Sequence, residues 1–453
     1  MKKTYSMDMC NGPIMSKLLR FAIPLMCSSI LQLLFNAADV VVVGQFCGEE
    51  SLAAVGSTTS LINLMTNLFI GLSVGANVLV ARYFGAKQEK NVHNTVHTAL
   101  ALSVVSGLLL TVVGVVFAKQ ILIWMQCPTD VLPLSALYLR VYFLGMTATM
   151  VYNFCSAILR AVGDTKRPLY YLLFSGVVNV VLNLFFVIVL DMNVAGVGLA
   201  TAASQVVSAF LVMRCLRKEN AMYKLILKEI RFHKTELKKI LQIGIPAGLQ
   251  GTVFSLSNVV IQSSINSFGS VIMAANAAAM SIEGFVFMAM NAFHQAAVSF
   301  VSQNVGAGKF SRINRIVWCV LLGVTVTGVV LGGLFVVFGN ELLSLYSTKP
   351  EVIAQGMVRL QMICTVYALC GIMDVMVGAL RGLGYSVMQM IVSLLGACGL
   401  RLLWVFTVFS IPEYHTTKVL YFSYPMSWTI TIVVHVICFL VVRRRFPKEN
   451  VSE

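Results

Sequence analysis

Leu159-Arg160-Ala161-Val162-Gly163 returns 221 residues later as Leu380-Arg381-Gly382-Leu383-Gly384, close to half of a 453-residue chain. Two other landmarks keep nearly the same interval. Phe21-Ala22-Ile23-Pro24 is echoed by Ile243-Gly244-Ile245-Pro246, with the prolines 222 apart, and Gly85-Ala86-Lys87 by Gly306-Ala307-Gly308-Lys309, with the first glycines 221 apart. Each lies in or beside an apolar stretch long enough to cross a bilayer. An offset held over three landmarks is the trace of a duplication, and the duplicated unit is a set of membrane helices. Paired membrane repeats commonly build transporters, because a substrate site between them can face each side in turn.

Composition agrees. With 58% hydrophobic and 11% charged residues, a soluble chain of this length would lack the polar surface to cover itself, so lipid must cover it. The formal net charge of +15 does not point to nucleic acid. Its basic residues sit at the ends of apolar runs rather than in an aromatic-studded patch, and they set topology instead. The eleven cysteines form no disulfide framework: Cys27, Cys155, Cys319 and Cys438 fall within apolar segments, where cysteine acts as a small hydrophobe. Cys47 and Cys127 fall in loops, unpaired. Lys2, Lys3, Lys17 and Arg20 precede the first apolar run without a small-residue cleavage site, so that run reads as a retained helix.

A window of about 20 residues yields about twelve spans, at 15–43, 53–81, 94–117, 132–158, 168–190, 194–215, 240–267, 272–302, 314–338, 352–379, 386–410 and 419–442. Odd-numbered loops hold few basic residues. Even-numbered loops hold many, among them Arg82, Lys87 and Lys90, Lys166 and Arg167, and Lys309, Arg312 and Arg315. The positive-inside rule then places both termini in the cytoplasm and gives the two halves the same orientation. The expected organisation is an N-terminal six-helix lobe over 1–215, a basic cytoplasmic linker over 216–239, a C-terminal six-helix lobe over 240–442 and a basic cytoplasmic tail over 443–453. Lys224, Lys228, Arg231 and Lys234 of the linker are expected on a helical stretch lying on anionic headgroups.

Charges inside membrane spans are costly, which makes each one a functional candidate. Asp39 lies late in the first span, with Asn36 near it. Asn179 and Asn183 of the fifth span are four residues apart and share a helix face at that depth, and Thr201 of the sixth reaches the same level. Oxygen ligands of this kind suit a sodium ion at Asp39, Asn179 and Asn183, and equally a proton held in a hydrogen-bonded carboxyl group. Asp39 projects onto Ile261 in the second half, so the site has no twin. Asp374 in the tenth span and Glu283 in the eighth are the other candidate coupling acids, with Arg401 expected beside Asp374. His294 and His435 read as isolated, packed or hydrogen-bonded side chains rather than metal ligands. A substrate cavity is expected to draw on Asn36, Asn153, Asn258, Gln262, Met280, Phe287 and Asn291, methionine and aromatic surfaces suiting varied cargo.

The chain resembles the bacterial multidrug and toxic compound extrusion (MATE) family over essentially its full length. The marks are Pro24 and Asp39 in the first span, Gly85-Ala86-Lys87 closing the second, Leu159 through Asp164 closing the fourth, Val178-Asn179 through Asn183 in the fifth, and their second-half echoes. The resemblance implies an all-α integral membrane protein of about twelve transmembrane helices, in two parallel six-helix repeats forming a V-shaped two-lobe transporter. It implies a multidrug efflux antiporter of the bacterial cytoplasmic membrane, exporting organic, often cationic compounds for protons or sodium by alternating access. It also implies a cation or proton site at Asp39, Asn179, Asn183 and Thr201 and a contribution from Asp374. The chain departs from one branch by carrying Asn183 where an aspartate stands, and from another by lacking an acid in the seventh span, a role for which Glu283 is the substitute at hand. Small organic substrates and membrane lipids are the expected partners of a monomer; no nucleic acid and no cofactor beyond the coupling ion is expected. No cluster has catalytic spacing, so no enzyme is expected. Gly306-Ala307-Gly308-Lys309-Phe310 falls short of a phosphate-binding loop. A flippase for lipid-linked precursors is the alternative, and it calls for cavity arginines where Arg140, Arg359 and Arg401 are the sparse core set.

Overall fold

A computed structural model describes residues 5–125 and 127–447; Lys2, Lys3 and the tail beyond 447 lie outside the described residues. Among the described residues the regular structure is entirely helical. Ten helices are long and apolar enough to cross a membrane, and two bent pairs bring the number to as many as twelve. The first repeat runs α1 (Ile14–Phe46), α2 (Glu49–Gly85), α3 (Glu89–Val116), α4 (Leu132–Leu144 and Met146–Ala161), α5 (Lys166–Leu184, extended by a wide turn Phe185–Val189) and α6 (Asn193–Lys218). The second runs α7 (Lys234–Asn266), α8 (Ser270–Gly306), α9 (Phe310–Val337), α10 (Pro350–Cys364 and Ala368–Gly382), α11 (Ser386–Phe406, with a wide turn at Leu394–Gly399) and α12 (Thr417–Arg444).

The duplication is repeated in the backbone. α4 bends by 46° at Gly145 and α10 by 45° after Cys364, and at both bends the chain tightens to bonds reaching three residues back, Gly145 N–H to Tyr142 O and Val366 N–H to Ile363 O. Left-handed backbone recurs at the 221-residue interval in Gly48 and Gly269, Lys87 and Gly308, and Gly163 and Gly384. At Gly163 a side chain would also strike the backbone of Met7 at 2.8 Å, so glycine is required twice over.

Outward faces are apolar. On α9, Trp318, Leu322, Val326, Val330, Leu334 and Val337 are all exposed at three- or four-residue steps, which makes a stripe for acyl chains. The helices hold together through small residues, since between lipid-facing helices close packing replaces the hydrophobic drive. Gly71 and Gly75 on α2 meet Gly244 and Gly248 on α7 so closely that a Cβ on Gly75 would lie 2.4 Å from Ile240 O, and one on Gly248 2.3 Å from Leu68 O.

This crossing explains where the packing units divide. One unit comprises Cys27–Leu249 with the residues up to Asp8, the other Met9–Met26 with the residues from Gln250 onward. The units thus cut the chain elsewhere than the sequence repeat does, because the 216–239 connection and the first turns of α7 pack with the first repeat, and residues 9–26 with the second. In α1 and α7 the cut falls within a turn of Pro24 and Pro246, whose rings remove a backbone hydrogen bond. The connection is not a surface helix as the sequence suggested. Only the short turn Leu227–Glu229 is helical, and Tyr223 and Leu225 are buried, so apolar anchoring wins over the basic periodicity.

Alanine at Gly75 or Gly248 puts a methyl group against backbone that has no rotamer to give. Each is expected to destabilise the protein by about 1–3 kcal/mol, measured as an earlier thermal unfolding transition in detergent, while alanine at Gly333, where nothing lies within 4 Å, leaves the transition in place.

Candidate functional site

In the first unit α1, α5 and α6 bring the predicted residues into a closed ring. Asn183 Nδ2 donates to Asp39 Oδ1 and also lies 3.3 Å from Asn179 Oδ1. Asn179 Nδ2 donates to Thr201 Oγ1 at 3.4 Å, and Thr201 Oγ1 is 3.3 Å from Asp39 Oδ2 and 3.0 Å from Val197 O on its own helix. Asn183 is wholly buried, Asn179 nearly so, and Asp39 half-buried. Both carboxylate oxygens thus face neutral donors, and Asn183 Oδ1 is buried without a hydrogen-bond partner.

Local packing sets this geometry. Gly176, one turn before Asn179, leaves the space filled by the Phe35 ring, which would lie 1.9 Å from a Cβ there. Phe35 is one turn before Asp39, so this contact sets the two helices in register for the ring. At the bend of α4, Gly145 presses on Ala202 Cα, next to Thr201. Tyr138 and Tyr142, within electrostatic reach of Asp39, were missed in the sequence because spacing along one helix does not tell which helix lies beside Asp39.

The second unit holds two separate polar centres. Glu283 of α8 is not a lone acid: Arg359 of α10 grips both its oxygens at 2.8 Å and gives its remaining arm to Asn276 Oδ1 at 2.7 Å. Asn276 Nδ2 donates to Gln262 Oε1 at 3.0 Å and lies 3.3 Å from Met280 Sδ. Arg401 stacks over Tyr424 and Trp428 and donates to Ser427 Oγ at 3.0 Å. Among the described residues no ion pair joins it to Asp374, so the pairing expected from sequence is replaced by cation–π stacking.

Asp374 instead has His294, which is therefore not isolated. His294 Nδ1 donates to the Asp374 backbone carbonyl at 2.7 Å and lies 3.4 Å from its Oδ1. The other ring nitrogen is 3.4 Å from Arg381 Nη1, and Arg381 Nη2 donates to Gln250 Oε1 at 3.0 Å. Gly378, one turn past Asp374, makes the approach feasible, since a Cβ there would touch the His294 carbonyl at 2.8 Å. Asp374 keeps 24% of its side chain exposed, which leaves it open to a ligand.

The remaining cavity candidates scatter. Asn36 and Asn258 are exposed, Phe287 and Asn291 half-buried, and Asn153 spends its amide on Thr149 O of its own helix. His435 is buried and bonded to Thr431 O and Ser393.

Comparison with known proteins fits this arrangement. The sequence model of the MatE family matches residues 24–185 and 246–407, two copies with the chain's own repeat interval. The probable multidrug resistance protein YoeA of Bacillus subtilis (strain 168) is 27% identical over 424 residues, spanning 91% of this chain and 90% of its own. The multidrug export protein MepA of Staphylococcus aureus (strain MSSA476) is 22% identical over 374 residues, 83% of each chain. Among solved structures, an outward-facing multidrug resistance MATE family transporter of the MOP superfamily superposes with a TM-score of 0.90 at 21% identity, over 98% of this chain and 99% of its own. A MOP superfamily transporter from Pyrococcus furiosus, described as having a binding pocket of reverse polarity that suggests a different function, gives the same score, identity and coverage. Likeness at that identity speaks for the fold alone.

Glu283→Gln strands the Arg359 guanidinium in a buried site and is expected to cost about 3–5 kcal/mol, read as a fall in the unfolding temperature. Pairing it with Arg359→Met should recover most of the loss.

Proposed function

Because the chain belongs to the MatE family, we propose that it is a secondary active multidrug exporter of a bacterial cytoplasmic membrane, driven by protons that bind at Asp39. The observation that carries the reading is the ring of Asp39, Asn183, Asn179 and Thr201. A single carboxylate whose oxygens face neutral donors supplies little negative charge for a dehydrated cation, and a sodium ion would require the amide oxygens, not the nitrogens, to face inward. A proton needs only an acceptor for the new hydroxyl, and Thr201 Oγ1, 3.3 Å from Asp39 Oδ2, is in place for one. Gain or loss of that proton exchanges donors for acceptors around the ring, which is the differential interaction a two-state transporter requires.

Asp374 is the second acid of the reading, a partly open carboxylate suited to the cationic head of a drug or to a coupling ion, with His294 as its partner. Glu283 drops out, since Arg359 already neutralises it. The relatives named for multidrug resistance and multidrug export support drug-like organic compounds as cargo; cationic cargo follows from the open carboxylate of Asp374, and alternating access from the paired repeats. The arrangement of basic loops supports cytoplasmic termini. A precursor flippase fits less well, because of the arginines expected to line its cavity Arg359 is held by Glu283 and Asn276, Arg401 is stacked on Tyr424 and Trp428, and Arg140 is exposed.

The test is drug counterflow in proteoliposomes under imposed gradients. A pH difference alone should drive export, and Asp39→Asn should reduce it to the level of empty vesicles while the protein remains folded. Transport driven by sodium at equal pH, lost with Asp374→Asn but kept with Asp39→Asn, would overturn the proton assignment.

A further inference from the structure

Three of the chain's six histidines gather at one place outside the transport site. His93 and His97 stand one turn apart on α3, with ring centroids 4.1 Å apart. Glu229 reaches them from the connection between the repeats, its Oε2 2.6 Å from His93 Nε2. His233, from the same connection, bonds Thr98 through its ring and its backbone, both at 3.1 Å. His97 is buried, while His93 and Glu229 keep 31% and 50% of their side chains exposed.

We propose that His93, His97 and Glu229 form a binding site for a divalent transition-metal ion of the zinc class. The ligand atoms that these three residues offer all lie within 4.8 Å of one another. Histidines at positions i and i+4 of a helix turn the same ring edge to one ion. His97 Nδ1 already donates to the His93 carbonyl at 2.7 Å, the outer contact that commonly fixes a ligating imidazole and leaves Nε2 to the metal. Two neutral imidazoles and one carboxylate suit zinc, cobalt or nickel rather than calcium or magnesium, which call for oxygen ligands throughout. Water completes a tetrahedron on the exposed side.

Closure asks for two small changes. His93 Nε2 and Glu229 Oε2 must part to about 3.3 Å, the edge of a tetrahedron with metal bonds near 2.0–2.1 Å, and both side chains have solvent in which to turn. His97 Nε2 must give up Ile226, whose N–H and carbonyl oxygen lie 3.0 and 3.1 Å away, for the ion, so the connection draws back there and the freed N–H turns to water. Of the basic neighbours, Arg231 is turned to His233 Nε2 at 3.2 Å; Lys228, beside Glu229 in the chain, and Lys90, one turn before His93 on α3, are adverse charges. Occupancy would fasten the connection to α3 at a second point beside the His233–Thr98 contact.

The experiment uses full-length protein in detergent, purified through a tag without histidine, and cobalt(II) as the spectroscopic probe. One equivalent should give the visible absorption of a four-coordinate site, displaced by equimolar zinc. His93→Ala and Glu229→Gln should each weaken binding at least about tenfold while leaving metal-free drug export intact. On the unmutated protein, zinc should also protect His93 from diethyl pyrocarbonate, read by mass spectrometry. Absence of the cobalt band, full binding in both variants, or unprotected His93 at saturating zinc would overturn the proposal.

Discussion

Lipid offers no hydrogen-bond donors, so a carboxylate carried into the bilayer by α1 obliges the surrounding helices to supply them. The first unit is organised around that obligation. Asn183 and Thr201 serve the two oxygens of Asp39, Asn179 bridges the donors, and Gly176 yields the space that lets α1 come near enough. The obligation has no twin in the second unit, where position 261 is isoleucine. The two halves share bends, turns and helix lengths but not the chemistry at this height, as expected when one copy of a duplication is free to drop a costly group.

The second unit solves its own charges differently. Its buried arginines are covered by carboxylate, amide and aromatic faces: Arg359 by Glu283, Asn276 and Tyr421, Arg401 by Tyr424 and Trp428. Guanidinium groups tolerate such surroundings because their planar faces are weakly hydrated. Asp374 keeps part of its carboxylate open, which sets it apart from Glu283.

Much of this was legible in the sequence. The repeat and the run of apolar stretches carried the helix count, because hydrophobic length is a one-dimensional property. The Asp39 ring was legible because Asn179 and Asn183 share a face by spacing alone and because spans five and six reach the same depth as the end of span one. The partners of Glu283, Asp374 and Arg401 were not, since they depend on which helix lies beside which, and the α10 bend after Cys364 rotates Asp374 relative to Arg359. The glycine pairs at 71, 75, 244 and 248 could have been found from their four-residue spacing, the mark of close helix crossing. Helical spacing of basic residues misread the linker because it ignored Tyr223 and Leu225, whose burial decides the path.

The Glu283–Arg359 pair also bears on how the chain enters the membrane. α8 emerges from the ribosome 76 residues before its partner arginine, and a carboxylate near the middle of a helix opposes insertion by about 2.5–3.5 kcal/mol. Arg359 meets the same resistance on arrival. Neither helix gains its full preference for lipid alone, and the resistance of both is relieved when the carboxylate and the guanidinium meet, so each helix stabilises the other's place in the membrane.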